Sequence, residues 1–117
     1  MHIGLLAPAW TPIPSPAYGG IERVIELQAG GLAAAGHDVT LVAAPGSAIP
    51  GVQVLSPLNS LPAQIGMATD EWRHVLGGLD ALSGVDAVID HSGPLGALLS
   101  AQGPVPALHV VPGAVRA

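Results

Sequence analysis

Short apolar runs of strand length alternate along this chain with longer stretches of helical spacing. His2 to Ala7 (HIGLLA) is an apolar run that stops at Pro8. Ile21, Val24, Ile25, Gln28 and Leu32 fall on one helical stripe, with apolar residues at four of the five positions, and predict a first helix ending near Ala35 with Gly36 as its C-cap. Val39–Ala43 (VTLVA) and Val52–Leu55 (VQVL) read as the second and third strands, with a turn-rich loop from Gly46 to Gly51 between them. A second helical region is expected from Ser60 or Leu61, with breaks, to about Leu82. Its middle, Thr69 to Leu76, offers a threonine or aspartate N-cap and an apolar face of Trp72, Val75 and Leu76. Val85–Asp90 is the fourth strand, Leu95 to Gln102 a small apolar helix behind Pro94, and Pro106–Val111 the fifth strand.

The order β-α-β-β-α-β-α-β predicts an α/β, Rossmann-like fold: a mostly parallel five-stranded sheet with helices on both faces. Residues 1–117 are expected to form one such domain. Gly30 and Gly31 weaken the first helix intrinsically, and close packing of that helix on the sheet is the expected reason for them. Pro8, Pro12, Pro14 and Pro16 lie between the first strand and the first helix. They fix φ and remove backbone donors, so this stretch is an extended loop at the carboxyl edge of the sheet, where open α/β sheets bind ligands.

Composition sharpens the picture in three ways. Hydrophobic residues make up 50% and charged residues 9% of the chain, so apolar surface is expected to remain exposed in the monomer and to mark an interface. The net charge is −5 with three Lys+Arg, which argues against nucleic acid and anionic membrane surfaces as partners. With no cysteine there is no disulfide, thiolate nucleophile or thiolate metal site, a usage that fits a cytoplasmic protein. No apolar run reaches the length of a membrane span, no basic segment of signal-peptide type precedes the first strand, and no His/Asp/Glu set has metal-ligand spacing.

The candidate chemistry starts at Tyr18-Gly19-Gly20-Ile21-Glu22-Arg23-Val24. Two glycines open a helix straight after a strand and loop, where outward N–H groups and the helix dipole favour an anion and the absence of a Cβ lets a phosphate come close. That arrangement serves a diphosphate or an anionic acceptor, or is a plain loop-to-helix turn. A dinucleotide fingerprint and a P-loop are both absent. Asp90, His91 and Ser92 follow one another at the end of the fourth strand. They cannot form a hydrolytic triad among themselves, because neighbouring side chains on a strand point to opposite faces. Asp70 and Glu71 read as helix N-terminal charges, and His2 and His74 have no visible partners.

HIGLLAP, the proline loop, YGGIERV and GLAAAGHDVTLVA, in that order, resemble the N-terminal domain of family 4 glycosyltransferases, which have the GT-B architecture; AVIDHSGPLGALLSA and PVPALHVV resemble its fourth strand, following helix and fifth strand. The resemblance covers nearly the whole chain and is weakest from about 50 to 84. It implies the acceptor-side half of a retaining, nucleotide-sugar-dependent hexosyltransferase that needs no metal, facing a C-terminal donor-binding domain across a cleft. Gly19 and Gly20 would then lie near the donor diphosphate, Glu22 would support their loop, and His91 would sit at the cleft as the candidate catalytic residue. A donor-binding domain or a second copy of the chain, and a sugar acceptor, are the implied partners. Two departures stand out. Ile89 replaces the first histidine of the family's His-Asp-His-Ser pattern, and Pro112 stands where a histidine followed by glycine is usual. A stand-alone binding or oligomerising module derived from the same fold is the alternative.

Overall fold

The computed structural model describes residues 1–16 and 19–110. Tyr18 and Pro112, both part of the resemblance, lie outside them. Five strands form one sheet in the order β3-β2-β1-β4-β5, every neighbouring pair parallel. They are β1 (His2–Leu6), β2 (Asp38–Val42), β3 (Gln53–Leu55), β4 (Ala87–Asp90) and β5 (Ala107–His109). Three helices, α1 (Gly20–Ala34), α2 (Ala68–Ala81) and α3 (Pro94–Ser100), connect them in the expected sequence.

The period of two along the strands divides the core. Ile3, Leu5, Ala7, Val39, Leu41 and Ala43 pack against Ile25 and Ala29 of α1 on one face. Leu6, Val42 and Val88 pack against Val75 of α2 and Leu82 just beyond it on the other face, with Leu95 and Leu99 of α3 alongside. Helices therefore cover both faces, as right-handed crossovers require when the chain runs first to one side of β1 and then to the other.

Helix ends follow local chemistry. At the end of α1 the Gly36 N–H donates to Ala33 O and the His37 N–H to Leu32 O, and Gly36 has φ +95°. This is a Schellman stop with Ala35 as the C-cap residue and glycine one position later, in the left-handed conformation that a side chain resists. The second helix departs from expectation. It begins at Ala68, and residues 60–67 carry no helix, because Pro62 and Gly66 (φ +89°) interrupt the run. Its N-cap is Met67 without a side-chain bond, which leaves Thr69 and Asp70 inside the first turn.

Three packing expectations are also corrected. Val24 is exposed, and α1 turns Ile21, Ile25, Ala29 and Leu32 inward instead. Trp72 and Leu76 are exposed; the buried stripe of α2 is His74, Val75 and Gly78. A Cβ on Gly30 or Gly31 would meet nothing within 4 Å, so close packing does not explain these glycines. The close approach belongs to Gly78, where a Cβ would lie 2.8 Å from Val42 Cγ1 and 2.9 Å from Leu6 Cδ1. The exposed apolar surface expected from composition includes Trp72, Leu76, Ile65 and Leu61.

Candidate functional site at the carboxyl rim

The sheet order reverses at β1. The chain goes from β1 to β2 on one side and later returns to β4 on the other, which leaves a crevice at the carboxyl ends of β1 and β4. The two ends are tied directly, since the His91 N–H donates to Leu6 O at 2.9 Å.

Ile13 fastens the proline loop. Its side chain is fully buried in the α1-side core, its N–H donates to Ser47 Oγ (2.9 Å), and its carbonyl accepts from the Ala48 N–H (2.9 Å). Ser47 Oγ in turn donates to Ala44 O. The loop that leads to the glycine pair is thus pinned to the loop after β2.

Gly19 is the N-cap of α1, in extended conformation, and Gly20 is the first helical residue and exposed. The Glu22 carboxylate lies against position 19: a Cβ there would lie 2.6 Å from Glu22 Oε2 and 3.1 Å from Ser15 Oγ, and the flexible glutamate would have to shift. Glu22 therefore folds back over the opening of its own helix, where its charge complements the dipole. It occupies ground that an incoming anion would approach.

His91 is buried. Its Nε2–H donates to Gln28 Oε1 (2.8 Å), so the ring lies under α1, and Gln28 stands about 12 Å along the helix axis from Gly20. Burial pushes its imidazole below the ordinary histidine range, partly offset by the negative charge of Asp90. The glycine pair opens α1 and His91 contacts that helix only at Gln28, so His91 is held under the helix rather than presented openly.

Asp90 points to the opposite face, as the strand period requires. Its Oδ1 accepts from the Ser92 N–H (2.8 Å) and the Ser92 hydroxyl (2.5 Å), and its Oδ2 accepts from His109 Nδ1–H (2.9 Å). The parallel register of β4 and β5 sets Asp90 beside His109. Gly96 makes room for this cluster, because a Cβ there would lie within 3.0 Å of both Asp90 carboxylate oxygens. The local sequence does not announce the link from Asp90 to His109, since strand pairing alone joins them.

His74 was also silent in sequence. It is buried on α2 and its Nε2–H donates to Ala7 O (2.6 Å), the residue from which the proline loop departs. Its Nδ1 has no hydrogen-bond partner, and burial pushes its pKa down. At the amino edge of the sheet a separate polar groove of about 260 Å³ is lined by His2, His37, Asp38, Thr40 and Gln53. Among the described residues no group of three or more His, Cys, Asp or Glu is placed to hold a metal ion, and no helix is long and apolar enough to cross a membrane.

Comparison with models of known protein families finds none that matches this chain, and comparison with curated proteins finds no match either.

Proposed function

We propose that this chain is the N-terminal, acceptor-binding half of a retaining glycosyltransferase of GT-B architecture that uses a nucleotide-sugar of hexose type. The observation that supports the reading is the reversal of the sheet order at β1, with the proline loop leaving the carboxyl end of β1 and His91 leaving that of β4. The order of sequence motifs that resembles family 4 glycosyltransferases supports it independently.

In this reading Gly19 and Gly20 meet the donor diphosphate through backbone N–H groups, and Glu22 keeps their loop in place until the donor arrives. His91 faces the acceptor side with its tautomer fixed by Gln28. The nucleotide is held by a C-terminal domain, so this domain alone transfers no sugar. Exposed Trp72 and Leu76 favour a second reading, a binding module that associates with another copy of itself, and sedimentation as a monomer at high concentration would remove it.

The glycosyltransferase reading is tested by joining the chain to a GT-B donor-binding domain and following nucleotide release from UDP-glucose and GDP-mannose with a panel of sugar acceptors. Acceptor-dependent release by the joined protein, absent from either part alone and lost in Gly20→Glu, is expected. A joined protein that binds the nucleotide-sugar yet never needs this domain for turnover contradicts it.

A further inference from the structure

The Asp90 cluster continues one residue further. Asp90 Oδ2 fixes the proton of His109 on Nδ1, which assigns Nε2 of the neutral ring as an acceptor. That nitrogen faces Ser100 Oγ at 3.3 Å. The alternative acceptor for the Ser100 hydroxyl, Ala97 O, is at 3.4 Å. Carboxylate, imidazole and hydroxyl thus stand in the order that activates a serine, and such contacts tighten once a substrate is bound. Asp90 is almost wholly buried, with both oxygens engaged, while the His109 side chain is 30% exposed.

Space for a substrate adjoins the serine on two sides. Ser100 and His109 both line an open groove of about 450 Å³ between the end of α3 and β5. Ser100 also borders an apolar pocket of about 80 Å³ with Leu79, Leu82, Val88, Leu99 and Val105. A cavity of about 150 Å³ takes benzene, so this pocket suits an alkyl chain of roughly three or four carbons.

We propose that Ser100, His109 and Asp90 form a nucleophilic site on the α3 face of the sheet that accepts short acyl groups from activated esters, independent of any sugar transfer on the α1 face. Ser100 Oγ adds to the acyl carbon as its proton passes to His109 Nε2, and Asp90 stabilises the imidazolium. The bond from the acyl carbon to the leaving oxygen breaks, and the alcohol departs with that proton. Water then adds to the acyl carbon and gives a proton to Nε2. The bond to Oγ breaks, Oγ takes back the proton, and the carboxylic acid leaves. The N–H groups of Ala101, Gln102 and Gly103 are all bonded to carbonyls of the helix and its end, so none of the three can hold an oxyanion. Each such donor is worth about 100- to 1000-fold in rate, which confines the site to activated acyl groups.

The test treats the 117-residue chain with p-nitrophenyl butyrate and, separately, with a fluorophosphonate probe. A burst of one p-nitrophenol per chain and a single phosphonylated residue, Ser100 by peptide mass spectrometry, are expected. Ser100→Ala abolishes both with circular dichroism unchanged, His109→Gln slows labelling about 100-fold or more, and p-nitrophenyl decanoate reacts far more slowly than the butyrate. Absence of a burst and of label in the folded chain, label on another serine, or wild-type turnover by Ser100→Ala overturns the proposal. None of these outcomes bears on sugar transfer, which is measured on the joined protein.

Discussion

The two faces of the sheet meet at the end of β4, and they use polar residues in different ways. His91 turns towards α1 and bonds Gln28 through Nε2. Asp90 turns towards α3 and closes a network in which both its oxygens, two serines and His109 take part. The α1 face holds a buried histidine through a single side-chain bond, while the α3 face locks a carboxylate into place through several. A buried carboxylate persists only when its hydrogen bonds are satisfied, so the two faces differ in what they lose on mutation.

Removing the carboxylate is expected to have the largest effect. Asp90→Ala strands the Ser92 N–H and His109, and should lower unfolding free energy by about 3 kcal/mol in urea denaturation. His91→Ala should cost clearly less, since it leaves Gln28 partly able to reach water. Equal losses would erase the distinction between the faces.

Acid comes next, and it acts on both faces through His74 and His91. Burial lowers the pKa of each in the folded chain below the ordinary value near 6.5. Below that value the unfolded chain takes up protons that the folded chain does not, so stability is full above it and falls as pH drops through the folded values. Urea midpoints should therefore decline from pH 7.5 to pH 5, and His74→Gln should flatten that decline. A flat profile for the native chain would show that neither imidazole is held neutral by folding.

The smallest effects separate glycines that look alike in sequence. Gly78→Ala presses a methyl onto fully buried Val42 and Leu6 and should cost about 1–2 kcal/mol, the overpacking penalty exceeding the gain in helix propensity. Gly30→Ala meets no neighbour and should add about 0.5–1 kcal/mol. Thermal melts of the two variants should move in opposite directions.

These contrasts show what the chain discloses before it folds. The alternation of β-branched runs and helical spacing carried the architecture, because strand and helix periods are local properties. Gly36 announced the end of α1 for the same reason. Local signals run thin between Pro50 and Gly84, and there the α2 start and its buried stripe depart from the pattern. Trp72 and Leu76 look like core by type, but the register of α2 on Leu6 and Val42 selects His74, Val75 and Gly78. Gly19, Gly20, Glu22 and His91 stand out in the sequence only as positions of a motif. The Ser100–His109–Asp90 line does not stand out, since it exists only through the pairing of β4 with β5 and the return of α3 across their face. His74 was hidden likewise, its partner being a backbone carbonyl 67 residues away.

The central claim, that ligand chemistry gathers at the reversal of the sheet order, is most directly tested by titrating isotope-labelled chain with pyrophosphate while following backbone amide resonances. The account predicts saturable shifts concentrated at Gly19, Gly20, Ile21, His91 and Ser92. Shifts concentrated instead at His2, Asp38 and Gln53 in the amino-edge groove, or no localised response at all, would contradict it.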